Sequence, residues 1–129
     1  MKYILLFCGT PQDLAAWETL SEEARAQKRE QAGQWIAAHR SQIRSNYALH
    51  PPHTVSSVHF GSSGQPLVTD GPFLEGTEVI GGLVEIEVAD LDEALQLART
   101  WSACSPVHSV VEIWPVVEQS KEEGAGDAR

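Results

Sequence analysis

Apolar residues recur along this chain in two patterns, one typical of strands and the other of helices. Residues 2 to 8 are apolar on both faces of an extended chain, which predicts a central strand covered on each side. From about Ser21 to Arg44, apolar residues instead fall near spacings of three and four, which predicts one long helix with an apolar stripe. Two residues are candidates for its N-cap: Ser21, or Thr19 together with Glu22 three residues later.

The second half of the chain predicts shorter elements separated by turn-forming residues. Residues 54 to 60 and Gln65 to Thr69 flank a Gly-Ser-Ser-Gly turn and predict a small hairpin. Residues 83 to 88 have the period-two pattern of a strand, and Asp90 is the expected cap of a second helix. A last strand is predicted over residues 110 to 117.

In this order the elements predict an α+β fold of the ferredoxin-like βαββαβ type, with an inserted hairpin and both helices on one face of an antiparallel sheet. One helix layer cannot cover both faces, so residues such as Leu83 and Trp114 would be bare on the other. A second copy packed sheet to sheet would cover them, which predicts a homodimer, a dimeric α/β barrel with a cavity between the sheets. The domain is expected to span residues 1–117, and the polar residues 118–129 to form a flexible tail.

The charge balance excludes one class of function. The chain has 129 residues, 42% of them hydrophobic, and a formal net charge of −9, which predicts a globular domain without the basic surface that nucleic acid requires. Basic residues concentrate only along the long helix, where they alternate with glutamates and predict a solvated face of mixed charge. They are Arg25, Lys28, Arg29, Arg40 and Arg44.

Membrane, metal and redox functions also lack a sequence signal. No apolar stretch is long enough to cross a bilayer, and the apolar start is too short for a signal peptide, so we expect a cytoplasmic protein without a membrane partner. Cys8 at the end of the first strand is expected to be a small buried hydrophobe, and Cys104 lies in a loop-like stretch. The five histidines are scattered, so we predict neither a metal site nor a cofactor.

The stretch Asp70-Gly71-Pro72-Phe73 is the strongest candidate for a functional site. Pro72 fixes its own φ and pushes the preceding residue toward extended conformations, so the run forms a stiff bend. Asp70 would act as a general base if partial burial raised the pKa of its carboxyl group, or would instead accept backbone N–H groups of its own turn. Phe73 either lines a pocket or anchors the loop in the core.

His59 is the second catalytic candidate. It lies on the strand before the hairpin turn and would form an acid–base pair with Asp70 if it reached across the hairpin. Such a pair suits proton abstraction next to a carbonyl. Glu85, Glu87 and Glu112 are expected on the face away from the helices, either lining a cavity or as ordinary hydrated positions. The chain has no phosphate-binding loop and no hydrolase triad order.

Asp70 to Phe73, followed by Glu75, Glu78 and a glycine pair at 81–82, resembles the DGPF branch of the YCII-related family. Residues 1–6, 51–54, 91–95 and 112–116 are also similar to family segments, so the resemblance covers residues 1 to about 117. It implies the dimeric ferredoxin-like barrel predicted above from burial, and little about activity. The related YciI branch is thought to hold a histidine–aspartate pair in its cleft, and some DGPF domains accompany sigma factors.

Two positions depart from the family pattern. Thr77 stands where family members commonly have a lysine, and Trp114 where they have an arginine. The resemblance therefore carries over no role in binding an anion at the intersubunit cleft. Placed at the rim and wall of that cleft, the expected ligand-binding residues are Gly71, Pro72, Phe73, Glu75 and Trp114.

The sequence leaves two functions open. One is a homodimer that binds a small organic ligand in an intersubunit cleft and acts there as a cofactor-free proton-transfer or lyase enzyme, with Asp70 as the base. The alternative is a non-catalytic ligand-binding or regulatory module connected with transcriptional control. Whether the protein is an enzyme is not decided by the residues alone.

Overall fold

The computed structural model describes residues 1–62, 64–71, 79–101 and 110–118. Its strands are β1 (Lys2–Gly9), β2 (Ile43–Ala48), β3 (Ser56–His59), β4 (Leu67–Asp70), β5 (Val79–Glu87) and β6 (Val110–Pro115). Its helices are α1 (Pro11–Thr19), α2 (Glu22–Ala38) and α3 (Leu91–Arg99), with a short 3-10 helix at Pro52–Thr54. Among the helices of these ranges, none has the length and apolarity that crossing a membrane requires.

The main sheet has four strands in the order β2-β5-β1-β6, and every neighbouring pair is antiparallel. Side chains of α2 and α3 pack on one face of it and form the core. The two central strands give the core a row of apolar side chains because alternate residues of a strand point to the same face. The buried cluster consists of Tyr3, Leu5, Phe7, Trp35, Val84, Ile86, Val88, Ala94, Leu97 and Trp101. This α+β arrangement is compatible with the predicted ferredoxin-like fold.

The helix predicted from about Ser21 is confirmed as α2, but it ends at Ala38 rather than at Arg44, and a separate helix, α1, precedes it that was not predicted. Thr10 caps α1 by accepting a 3.1 Å hydrogen bond from the Asp13 backbone N–H, while the Asp13 carboxylate accepts one of 2.9 Å from the Thr10 backbone. Leu20 then adopts an extended conformation and ends the helix. Ser21 caps α2 by accepting a 3.1 Å bond from the backbone of Ala24, which confirms one of the two predicted caps.

The predicted second strand of the sheet is wrong. The helix was expected to reach about Arg44, but the chain leaves α2 at Ala38 and pairs with β5 over residues 43 to 48. The Glu87 backbone N–H donates a 2.8 Å bond to the Gln42 carbonyl at the start of this pairing. Residues 54 to 60 instead supply β3, which pairs with β4 as a separate two-stranded ribbon. The predicted hairpin is therefore confirmed, but both of its strands belong to the insertion.

Strand β5 begins at Val79, before the expected position, and includes the glycine pair. A Cβ atom on Gly82 would lie 2.9 Å from the carbonyl oxygen of Tyr47 on β2, so the close approach of these strands requires glycine. On the other side, Phe7 pairs with Gly82 and Cys8 with Ile80, which leaves Gly81 as the extra residue of a β-bulge.

The predictions for Cys8 and Asp90 are both confirmed. Cys8 is buried, which confirms that it is a small residue of the interior. Asp90 caps α3 as predicted and accepts a 2.9 Å bond from the Glu93 backbone. Within α3, Ala94 and Leu97 are buried and Leu91 is exposed.

Candidate functional site

The start of the predicted motif is attached to the hairpin by two backbone contacts of Gly71. Its N–H donates a 2.6 Å hydrogen bond to the Val55 carbonyl, and its own carbonyl accepts a 2.6 Å bond from the Ser57 hydroxyl. The φ angle of Gly71 is +93°, in the region that residues with a side chain rarely adopt. This glycine is therefore required by conformation, and Asp70 immediately before it is exposed.

The structure does not bring His59 and Asp70 together within the ribbon. Asp70 lies opposite Ser56, and His59 lies opposite Leu67, three residues further along β3. Because successive strand residues point to opposite faces, the two side chains stand on different faces of the hairpin. The His59 ring instead forms a 2.8 Å hydrogen bond with the hydroxyl of Thr69.

The other predicted members of this site are only partly within the described residues. Pro72, Phe73 and Glu75 lie outside them, as does Thr77, and their assigned roles stay predictions. Residues 72–78 join β4 to β5, whose first residue, Val79, is buried. The motif therefore leads directly from the hairpin into the main sheet.

Trp114 lies on the face of the sheet opposite the helices and is 55% exposed. It pairs with Ile4 of β1, and Leu6 of β1 pairs with Leu83 of β5. We call this side of the sheet the outer face. Its apolar residues are Ile4, Leu6, Leu83, Val110 and Trp114.

The acidic residues of the outer face have partners within the chain. Hydrogen bonds or an ion pair hold each carboxylate, so none of them is an isolated charge. The pairs are Ser45 Oγ with Glu85 (3.4 Å), the amino group of Met1 with Glu87 (3.1 Å) and Trp114 Nε1 with Glu112 (3.0 Å). Lys2 Nζ also lies 3.9 Å from a Glu85 carboxylate oxygen.

A cavity of about 650 Å³ lies on the other side of the sheet, beneath α1 and α2. This cavity was not expected from the sequence, which instead predicted a cleft between two subunits. Apolar side chains of the sheet and of both helices make up most of its wall, and residues 46 to 52 after and within β2 close one side. The apolar members are Phe7, Leu14, Trp17, Ile36, Val79, Val84 and Trp101.

Three basic residues of α2 also line this cavity, namely Arg25, Lys28 and Arg29. Arg25 and Arg29 share the carboxylate of Glu22, with N–O distances of 3.5 Å and 2.6 Å. Lys28 has no ion pair among the residues that the structure describes, and the buried Nε of Arg25 has no hydrogen-bond partner there. The predicted mixed-charge pairing with glutamate therefore occurs in this part of α2, and the same cations also border the cavity.

Sequence reasoning missed these residues although one signal was present. Ala24, Lys28, Ala32 and Ile36 follow one another at intervals of four, so Lys28 lies on the face that carries the apolar stripe. Small residues at that face leave space that Leu or Ile would otherwise fill. A cation between small and apolar positions is therefore the local indication of a cavity.

No group of three or more His, Cys, Asp or Glu side chains suited to holding a metal ion occurs within residues 1–62, 64–71, 79–101 and 110–118.

The cavity offers aromatic and aliphatic surface together with cationic groups. This combination favours binding of an organic molecule.

Comparison with known proteins gives a family but no activity. The model of the YCII-related domain matches residues 1–120. A curated relative, an uncharacterised protein of Rhizobium meliloti (strain 1021), is 38% identical over 65 residues. The matched part is 50% of this chain and 52% of that protein, so the chain spans about half the length of the relative. Membership of the DGPF branch stays a prediction.

Proposed function

This chain belongs to the YCII-related family, and we propose that it is a homodimer that binds a small organic molecule in the cavity between its helices and its sheet. The single observation that carries the ligand-binding function is the cavity itself. Its volume of about 650 Å³ lies within the range of ligand sites, and its wall is mostly apolar with a few polar groups at one side.

The outer face supports the proposal of a homodimer. An isologous interface places the same surface of two copies together, and a flat apolar sheet face suits that geometry. Burying carboxylates is costly when they have no partner. Here Glu85, Glu87 and Glu112 each have a partner in their own chain, so a second copy would bury the face without leaving them unpaired. We therefore place the predicted intersubunit contact on this face.

The mass of the protein in solution tests the homodimer. At micromolar concentration we expect twice the chain mass of 14.1 kDa in sedimentation or light scattering. Leu83→Asp introduces an unpaired carboxylate into the outer face and should give a folded monomer. Val68→Asp makes the same change at an exposed position on β4 and should leave the dimer intact. A wild-type monomer at that concentration would refute the homodimer.

Binding of a neutral fluorescent dye tests the cavity. N-phenylnaphthylamine fluoresces strongly only in apolar surroundings, so wild-type protein should enhance its emission. Ala32→Phe fills the cavity from α2 and should remove most of the enhancement. Ala26→Phe adds the same ring on the exposed side of the same helix and should retain it. Equal emission with both variants would place the dye elsewhere and contradict the proposed site.

Catalysis by Asp70 and His59 stays a prediction, and the observed geometry favours binding without it. Asp70 does not line the cavity and is exposed, so the burial on which its role as a base depended is missing in the described chain. Asp70→Asn tests the enzymatic alternative once a ligand is known. Loss of turnover with unchanged ligand affinity and unchanged dimer mass would support it, and unchanged turnover would exclude Asp70 as the base.

A further inference from the structure

Several positively charged side chains line the cavity, although the protein as a whole is acidic. The chain has nine Lys and Arg residues and a net charge of −9, yet three of the nine line this one cavity. The wall holds three cations and one carboxylate, that of Glu18, and low-dielectric walls strengthen the field of nearby charges.

The local charges do not balance. Arg25, Lys28 and Arg29 face two carboxylates, Glu18 in the cavity wall and Glu22 beside the two arginines. One negative charge is missing for neutrality. The buried Arg25 Nε without a hydrogen-bond partner among the described residues is a further donor that lacks an acceptor. A ligand with a single carboxylate would supply both the charge and the acceptor oxygens.

The cavity also has a direction. Along α2 the basic residues occupy positions 25 to 29, and the small and apolar residues Ala32, Gly33 and Ile36 follow. With a rise of 1.5 Å per residue, Lys28 and Ile36 are about 12 Å apart along the helix axis. The sheet beneath them contributes Phe7 and Val84. One end is thus cationic, and the rest is mostly apolar, with Asn46 and His50 also in the wall.

We propose that the cavity binds an organic carboxylate with an apolar body, whose carboxylate contacts Lys28 and Arg25 while the body lies against the aromatic and aliphatic wall. This inference rests on the proposed function and specifies its ligand class. The cations in question belong to α2 and lie on the opposite side of the sheet from Trp114. The absence of basic residues at positions 77 and 114, in the predicted intersubunit cleft, therefore does not affect this inference.

Pairs of probes that differ only in charge test the inference. Octanoate is compared with octanol, and naphthoate with naphthalenemethanol, by calorimetry and by the emission of the cavity tryptophans. We expect at least one acid to bind roughly tenfold to a hundredfold more tightly than its alcohol, the contribution of hydrogen bonds to charged groups. Raised salt should reduce this preference, since the contact is between charges.

Variants of Lys28 assign the preference to the cavity. Lys28→Met keeps the apolar stem and removes the charge, so it should lower the preference for the acid severalfold and leave affinity for the alcohol unchanged. Lys28→Arg should retain the preference. Arg40→Met removes one cation that lies beyond the end of α2 and outside the cavity wall, and should also retain it.

The outcomes separate the inference from the proposed function. If acid and alcohol bind equally and Ala32→Phe removes both, the cavity binds ligands but the carboxylate inference is overturned. If the preference exists but Lys28→Met leaves it unchanged, the contact lies elsewhere and the inference is again overturned. If neither the probes nor the neutral dye binds, the proposed function fails together with it.

Discussion

The hydroxyl of Thr100 joins α3 to α2, and its removal gives a sharp test of the core. Thr100 Oγ1 donates a 2.6 Å hydrogen bond to the Leu97 carbonyl and accepts one of 2.7 Å from Trp35 Nε1. Trp35 is only 5% exposed and packs against Phe7 and Trp101 at ring distances of 6.1 Å and 5.1 Å. Thr100→Val keeps the shape of the side chain and removes both hydrogen bonds.

The expected cost follows from the indole N–H that loses its acceptor. A buried donor left without a partner costs about 1–3 kcal/mol. Thr100 itself is exposed at the end of α3, so water reaches its side of the contact and the lower part of that range applies. We expect Thr100→Val to lower the free energy of unfolding by about 1–2 kcal/mol.

Equilibrium urea unfolding at one fixed protein concentration measures this change, because the apparent stability of the proposed dimer would depend on concentration. Thr19→Val is the matched control, since Thr19 at the end of α1 donates a 2.7 Å bond to the Ala16 carbonyl at an exposed site and has no tryptophan partner. It should cost less than about 0.5 kcal/mol. Equal costs for the two variants would refute the assignment of the energy to the Trp35 bond.

The same unfolding measurement checks three further predictions. Leu5→Ala empties a fully buried position at the centre of β1 and should cost about 2–5 kcal/mol; a cost below 1 would contradict tight packing there. Gly82→Ala should destabilise by about 1–3 kcal/mol, because its Cβ meets the Tyr47 carbonyl oxygen at 2.9 Å and β2 must move away. Gly71→Ala should destabilise by about 1–2 kcal/mol, because the φ angle of Gly71 is positive. Gly33→Ala, where a Cβ atom would meet no other atom, should instead stabilise by up to about 1 kcal/mol. A change of the same sign in the free energy of unfolding of both variants would refute this contrast.

The elements that sequence reasoning found are those whose signals are local and strong. Residues 3 to 8 form an unbroken apolar run, and they lie within β1. Asp90 before an apolar stripe is a standard cap, and it begins α3. The hairpin has a turn between two short strands and formed as expected. In each case one segment carries enough information to choose its own conformation.

Helix α1 was also readable from the sequence but was missed. Thr10, Pro11 and Asp13 form a capping box with proline in the first turn, which predicts a helix start directly after β1. Strand β2 is different, because its Arg-Ser-Asn centre favours no conformation strongly. Pairing with β5 decides it, starting at the bond from Glu87 to Gln42. A conformation that is decided by pairing with a distant strand cannot be predicted from the local sequence pattern.

The cavity was not predicted because the charge pattern of α2 indicated a solvated helix face. Cations that alternate with glutamates usually mark a solvated helix face, and Arg40 and Arg44 at the end of the segment agree with that. Only the position of α2 over the sheet shows that Arg25 and Lys28 share a cavity with Trp17 of another helix. The rotation of a weakly amphipathic helix depends on what it packs against, and that information is not in its own sequence.

The two proposals are separable because β5 presents different residues to its two faces. Val84 lines the cavity, and its neighbour Leu83 lies on the outer face. A change at Leu83 alters the interface without touching the cavity wall, and a change at Lys28 does the reverse. Leu83→Asp should therefore become monomeric with unchanged affinity for the acid probe, whereas Lys28→Met should lose the acid preference and keep the mass of wild type. If folded Leu83→Asp monomer lost the probe, the cavity would depend on the partner subunit, and ligand and dimer would have to be explained as one site.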